Sequence, residues 1–344
     1  MKKVVLLISM VIYAGGAGRT ITIMAVGDIM MGSDYPAYRL PADTGRYLFV
    51  EVAPILRKAD IAFGNLEGVL CDGGQCAKDL GKGYYFAFRT PTRFGQNLKN
   101  AGFDILNLAN NHARDFGQFG ERSTRLILDS LGIRYTDCQG RIGVIDQDSL
   151  RVAFIGFYYG PCQNSLLDID RAEEVIDSLS RLYDIIVVSF HGGREGSRAI
   201  HVGSGPEYYF GEARGDLRRF SHAVVDAGAD LVLGHGPHVP RGLEVYNGRL
   251  IAYSLGNFCT YQGINIKGYC GYAPILSVEI DENGQFLSGK IYSFIQEGSG
   301  PRLDPDQRTF GLMKRLSLED FQKAVPVFDS SSIILPRKGE EREK

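Results

Sequence analysis

The sequence carries almost no net charge: 38 Lys and Arg stand against 40 Asp and Glu, a formal value of −2. A nucleic-acid binder shows a basic excess, so no nucleic-acid partner is expected. No run after residue 18 is long and apolar enough to span a bilayer. There is no Cys-x-x-Cys and no Cys/His spacing of a thiolate zinc site. There is no Gly-x-Ser-x-Gly, and Ser254 in Tyr-Ser-Leu-Gly-Asn lacks the elbow context of a serine hydrolase. Gly203-Ser-Gly205 falls in a predicted loop, which argues against a dinucleotide fingerprint. No internal repeat and no low-complexity linker divides the chain, which favours one domain.

What is present is ordinary globular material. Hydrophobic residues make up 44% and charged residues 23%, enough to fill a large core and to set disorder aside. The N-terminus is distinctive. Lys2 and Lys3 precede an apolar run from Val4 to Ala14, followed by Gly15, Gly16, Ala17 and Gly18. A basic start, a short apolar stretch and small residues are the parts of a secretory signal. Residues 1–18 are therefore expected to be a signal peptide or N-terminal anchor; a first strand of the fold is the other reading. The protein is then exported: periplasmic, extracellular or anchored outside the cytoplasm. Six cysteines follow. An even count in an exported chain permits disulfides. Cys71 with Cys76 and Cys259 with Cys270 lie close in sequence, and buried free thiols fit equally well.

Apolar strands alternate with helices over the first two-thirds of the chain. Strands are predicted at 21–26, 61–63, 105–109, 151–158, 185–190 and 231–233. Helices are predicted over 49–58, 92–101, 121–131, 170–183 and 217–227, with Gly132 placed to stop the third. This pattern predicts a mainly parallel sheet covered on both faces. Two hairpins follow, 243–253 around Asn247-Gly248 and 275–294 around Glu282-Asn283-Gly284. Asn-Gly supplies the positive φ angles of a tight hairpin turn. After Pro301 the sequence turns polar and ends in a charged tail, 336–344.

Five strands in turn end in residues of metal-ligand type: Asp28, Glu67, Asn111 with His112, His191, and His235 with His238. In a parallel sheet the carboxyl ends lie along one edge, where ligands bind. Residues far apart in sequence then converge. Mixed imidazole and oxygen donors suit a hard or borderline divalent cation. Taken singly, each has a plain explanation, such as a loop cap for Asp28 or a turn histidine for His112. Gly234-His-Gly-Pro-His238 is the hardest to explain as packing. His201 and His222 fall outside the pattern.

The strings Gly27-Asp28, Asn65-Leu-Glu67, Leu108-Ala-Asn-Asn-His112 with Asp115, and Phe190-His-Gly-Gly193 with Glu195 recur in a known order. So do Gly234-His-Gly-Pro-His238 and Tyr253-Ser-Leu-Gly-Asn-Phe258. Together they resemble the CapA/PgsA capsule-synthesis family, associated with poly-γ-glutamate production and related to the calcineurin-like metallophosphoesterases. The resemblance implies an α/β fold of the metallophosphoesterase type: a four-layer αββα sandwich with mixed sheets over 19–300, and an extension over 301–344. It implies one or two divalent ions (Mn, Fe or Zn) held by Asp28, Glu67, Asn111, His191, His235 and His238. His112 is expected as general acid with Asp115 orienting it, and Asn65, Arg194 and Glu195 as substrate contacts; for the last two a loop salt bridge is the other reading. The opening Asp-x-His of the phosphoesterases is absent, since Ile29 and Met30 follow Asp28. The implied partners are an anionic cell-surface polymer or its precursor and membrane-bound synthesis proteins. The expected activity is hydrolysis of a phosphoester or amide bond; the alternative is a non-catalytic, metal-stabilised scaffold or export factor.

Overall fold

The computed structural model describes residues 18–82 and 85–337. The predicted signal or anchor lies almost wholly outside these residues, as does the end of the charged tail. The chain opens with β1 (Thr20–Met30), a single turn α1 (Ala53–Leu56), β2 (Ile61–Leu66), β3 (Val69–Leu70) and β4 (Arg89–Thr90). Next come α2 (Gly95–Ala101), β5 (Ile105–Asn107), α3 (Gly117–Leu131), β6 (Arg134–Thr136), β7 (Ile142–Gln147) and β8 (Leu150–Tyr158). They are followed by α4 (Ile169–Ser180), β9 (Ile185–His191), β10 (Glu207–Tyr209), β11 (Glu212–Gly215), α5 (Leu217–Asp226) and β12 (Leu231–His235). The remainder is β13 (Leu243–Tyr246), β14 (Arg249–Ala252), β15 (Asn257–Thr260), β16 (Tyr272–Asp281), β17 (Phe286–Gln296) and β18 (Pro301–Leu303). Last are α6 (Arg308–Phe321), β19 (Val327–Phe328) and β20 (Ile333–Leu335).

Two mixed sheets dominate. The first has the order β19-β20-β17-β16-β1-β2-β5-β6, with β15 also on β1 and β18 on β17; the second runs β13-β14-β12-β9-β8-β7. Alternation within the strands dictates how they stack. On β1, Ile21, Ile23 and Ala25 join Phe154, Val187 and Leu233 of the second sheet in one core. The other face of the first sheet, with Met24 and Val26, packs against Leu56, Leu98 and Leu128 of the helices. Ile186, Val188 and Val232 face away from the joint and pack on Ile176 of α4 and Val224 of α5. The layers are therefore helix, sheet, sheet, helix, as expected. Phe63 and Phe154 stack across the joint with centroids 5.6 Å apart.

The local predictions hold where the punctuation is strong. Gly102 and Gly132 end α2 and α3 with φ of 101° and 65°. Asn247 and Gly248 take φ of 49° and 75° between β13 and β14, the backbone of a I′ hairpin. The helix predicted over 49–58 shrinks to Ala53–Leu56, with Pro54 in its first turn. Pro54 has no N–H to donate to the carbonyl four residues back, so the helical hydrogen-bond ladder is interrupted there. From sequence, 301–344 reads as an extension; the structure builds 301–335 into the sandwich. β18 and β20 pair with β17, and α6 buries Leu312, Met313 and Leu316. No helix among the described residues is long and apolar enough to cross a membrane.

Truncating Phe154 to alanine should cost about 3–5 kcal/mol, read from urea unfolding. A loss well under 1 kcal/mol would show that the joint between the sheets is not tightly packed.

Candidate metal centre

The site lies where the carboxyl ends of both sheets meet. In the first sheet, register sets Asp28 of β1 beside Asn65 of β2 and Asn257 of β15. Asn107 of β5 continues the row beside Asn65. In the second sheet His191 of β9 pairs directly with His235 of β12. Asp28 reaches this row through a bulge. Ala25 pairs with Phe63 and Asp28 with Asn65, so three steps on β1 match two on β2. The extra residue turns Asp28 to the same face as Ala25, towards the second sheet. Gly27 permits it: a Cβ there would sit 2.0 Å from the Gly256 carbonyl oxygen.

Asp28, Glu67 and His191 offer ligand atoms that all lie within 4.8 Å of one another, and all three are buried. His235 Nδ1 is 3.4 Å from Asp28 Oδ1. His238 bridges the group. Its Nδ1 lies 3.0 Å from Asp28 Oδ2 and 3.1 Å from Asn257 Oδ1, and its Nε2 lies 3.6 Å from Glu67 Oε1. This needs an unusual backbone, with φ of 59° at His238. Gly236 sits against the backbone of Gly192, where a Cβ would lie 2.6 Å from the carbonyl oxygen. Gly236 lets the two histidine loops touch, while Gly192 makes room for the Arg214 carbonyl, 2.7 Å from where its Cβ would lie.

Unpaired atoms show what the site is for. Both ring nitrogens of His191, both of His235, Glu67 Oε1 and Asn111 Oδ1 are buried without a hydrogen-bond partner. Buried polar atoms left unpaired are costly and rare. One nitrogen from each imidazole, with the carboxylate and amide oxygens, makes a mixed donor set that suits a divalent cation. The charge state agrees. Burial drives the His191 pKa well below its usual value, so the ring is neutral and ready to donate a lone pair. Burial would raise Asp28, but His235 and His238 hold it well below the carboxylate range. Glu67 is pushed well up, first by burial and then by Asp28. Burial opposes a charge on His238, yet Glu67 and Asp28 together hold its pKa well above normal. In the metal-free protein the His238 imidazolium therefore offsets the Asp28 carboxylate, while burial and Asp28 favour the protonated form of Glu67.

Around this group the amide side chains act as struts. Asn65 Nδ2 donates to Asp28 Oδ1 at 2.8 Å, and Asn107 and Asn110 donate to Asn65 Oδ1. Asn65 is wholly buried, so it positions carboxylates and lies below the cleft surface. His112 stands at the rim, Nε2 3.7 Å from Glu67 Oε1 and Nδ1 2.8 Å from Asp115 Oδ2. Lys78 Nζ lies 2.6 Å from Asp115 Oδ1 and 3.2 Å from His112 Nδ1. Burial lowers the His112 pKa, against the pull of Asp115.

A cleft of about 340 Å³ opens over the group, walled by Asn111, His112, His238, Glu195 and a set of aromatic side chains. Glu195 Oε2 is 4.0 Å from His238 Nε2, while its other oxygen takes Arg214 at 2.7 Å. Arg194 is exposed and enters only through its backbone: its N–H donates to Glu207 and its carbonyl accepts from Arg241. Arg241, fully buried, binds both oxygens of Glu207 and the Ala199 carbonyl. It pins the 194–207 loop that carries Glu195.

Of the residues picked from sequence, Asp28, Glu67, His191, His235, His238, Asn111, His112, Asp115 and Glu195 come together; Asn65 lies beneath them and Arg194 outside. Reasoning from sequence passed over Asn257, Asn110, Lys78, Arg214 and Arg241. Asn257 stands in a quoted string, Gly256-Asn257, and could have been found there. Lys78 and Arg241 sit in irregular segments with no pattern to mark them.

A family model described as bacterial capsule synthesis protein PGA_cap matches residues 22–262. The chain belongs to this family. It is 31% identical over 260 residues to the PGA biosynthesis protein CapA of Bacillus subtilis, covering 69% of this chain and 63% of that protein. It is 28% identical over 295 residues to the capsule biosynthesis protein CapA of Bacillus anthracis, covering 81% of this chain and 68% of that one. The match thus spans roughly two-thirds of these relatives. Among solved structures, a putative 5′-nucleotidase from Staphylococcus aureus aligns at 14% identity with a TM-score of 0.47, covering 87% of this chain and 58% of that one.

Two outcomes are expected. Mn²⁺ or Zn²⁺ at a hundredfold excess over its Kd should stabilise the protein by about 2.7 kcal/mol, seen as a rise in Tm. An Asp28→Ala/His235→Ala double variant should lose both the rise and the metal content; an equal rise in the variant would place the metal elsewhere. Arg241→Ala should cost about 3–5 kcal/mol in denaturant unfolding, because it removes a fully buried guanidinium and leaves the half-buried Glu207 carboxylate unpaired.

Proposed function

We propose that this member of the capsule-synthesis family is an exported, divalent-metal-dependent hydrolase acting on an anionic cell-surface polymer or its precursor, in capsule or poly-γ-glutamate synthesis. The observation that carries the reading is the set of unpaired buried donors beneath a cleft that has His112, hydrogen-bonded to Asp115, at its rim. Export rests on the basic, apolar and small-residue pattern of residues 1–18. The membrane-bound synthesis proteins implied from sequence remain part of the proposal.

Asp28, Glu67, Asn111, His191, His235 and His238 would hold one or two ions of the Mn, Fe or Zn type. When bound, such an ion supplies Lewis acidity and an acidified water at neutral pH. The rest is done by the chain. Asp115 accepts from His112 Nδ1 and fixes the ring, so Nε2 faces the cleft. Lys78 neutralises Asp115 and keeps it from drawing the proton away. A lowered pKa makes protonated His112 a stronger acid, suited to protonating a leaving group from Nε2. Glu195, clamped by Arg214, sits on the opposite wall and orients substrate.

An anionic group of either substrate class would be received by the bound ion itself, because the side chains of the cleft wall offer no spare positive charge. Each described cation on the cleft wall is already paired, Lys78 with Asp115 and Arg214 with Glu195 and Glu212. A phosphate dianion would find no free guanidinium or ammonium there. Aromatic faces from Phe86, Phe88, Tyr158, Tyr159 and Tyr209 supply the remaining wall.

The test is to incubate the metal-loaded protein with γ-glutamyl oligomers and, separately, with a phosphodiester. Amine release from the first is expected. His112→Ala should lower it about 10²- to 10⁴-fold with metal content unchanged. Phosphate-ester cleavage alone would reassign the substrate. No turnover of either by fully metallated protein would favour the scaffold or export-factor reading.

A further inference from the structure

The cysteines that lie close in sequence do not find one another. Cys71 turns its sulfur to the Gly73 carbonyl and Cys76 to the Lys78 carbonyl. Cys259 is fully buried, and Cys270 faces Asn265. Instead Cys138 and Cys162, 24 positions apart, lie on adjoining loops, close enough for each thiol to perturb the other.

Their setting is specific. Cys138 follows β6, an edge strand of the first sheet, and Cys162 follows β8 of the second. The two loops are already joined by backbone: the Asn164 N–H donates to the Cys138 carbonyl at 2.9 Å. Asn164 is itself tied to β8, its side chain donating to the Gly156 carbonyl at 3.2 Å and its carbonyl accepting from the Tyr158 N–H at 3.1 Å. A Cβ at Gly140 would lie 2.6 Å from the Gln163 side chain, so the loops pack without a gap. Cys138 also lines a second cleft of about 300 Å³, which shares Asn111 and Tyr158 with the cleft over the metal centre. An oxidant can therefore reach it.

We propose that Cys138 and Cys162 are a redox-active pair that closes to a disulfide, stapling the two sheets together beside the metal centre. The two thiols are unlike. Cys138 lines the second cleft and is the thiol an oxidant meets first; Cys162, on the adjoining loop, is the resolving thiol. The Cys138 thiolate attacks an oxidant of the disulfide class and releases one thiol. Cys162 then loses its proton and attacks the Cys138 sulfur, releasing the second. Two electrons and two protons leave the protein, and one S–S bond forms. The cross-link restricts the unfolded chain across the span from 138 to 162, so the oxidised protein is the more stable form. The proposal is independent of the hydrolase reading, because its readout is covalent.

The experiment uses the full chain, equilibrated with glutathione disulfide, quenched with N-ethylmaleimide, and measured as intact mass and as tryptic peptides. Of the six thiols, two should escape alkylation, and a linked peptide pair containing Cys138 and Cys162 should vanish with dithiothreitol. Tm should be higher for the oxidised protein than for the reduced one. Cys162→Ser should abolish the linked pair and leave Cys138 carrying glutathione. Mapping on the wild-type chain decides the matter even if a variant folds poorly. Alkylation of all six thiols across the redox range, or a bond between any other pair, would overturn the proposal.

Discussion

Two carboxylates, Asp28 and Glu67, are fully buried at the seam of two sheets, and the surrounding structure is arranged around the charge they carry. Taking a carboxylate out of water is unfavourable unless opposite charge and hydrogen bonds replace the solvent. Asn65 supplies hydrogen bonds from below, His238 supplies positive charge from the side, and Glu67 Oε1 is still left without a partner. That deficit is what a divalent cation would cancel. It also accounts for the strained backbone at His238 and for Gly27, whose missing Cβ lets β1 bulge.

The sandwich supplies the rigidity such a site requires. Strands buried on both faces fix the seam, and the row Asp28, Asn65, Asn107 is set by parallel register. Less regular parts bring the chemistry of the cleft. His112 and Asp115 sit on a turn before α3, and Glu195 on a loop that Arg241 and Glu207 lock from beneath. The division is a common one: a stiff sheet would hold the ion, and loops decide what approaches it. Cys138 and Cys162 add a covalent option at the same edge, where the two sheets would otherwise be joined only by packing and backbone contacts.

Much of the fold was legible because its signals are local. Apolar runs of three to eight residues mark buried strands, Gly102 and Gly132 end helices, and Asn247-Gly248 makes a hairpin. What escaped was set by distant contacts. α6 has polar and apolar residues in a mixed order, and only docking at the edge of the sandwich buries Met313. The helix predicted over 49–58 shortened around Pro54. Lys78, Arg214 and Arg241 carry no pattern, since an ion pair depends on a partner that may lie far along the chain, as Glu207 does for Arg241.

The sequence by itself determined the element order and which residue types stand at the strand ends. It also marked Asp28, Glu67, His112, His191, His235 and His238 as a group, because strand ends in a parallel sheet must share an edge. Only the tertiary structure decided which of these face one another, because facing depends on a one-residue bulge at Asp28 and on how two sheets stack. It alone showed Asn65 to be a strut beneath the surface and Arg194 to lie outside the cleft. It alone brought the loops that carry Cys138 and Cys162 together across two sheets. Sequence carries period and position, whereas distance between side chains arises only when separate surfaces pack and exclude water.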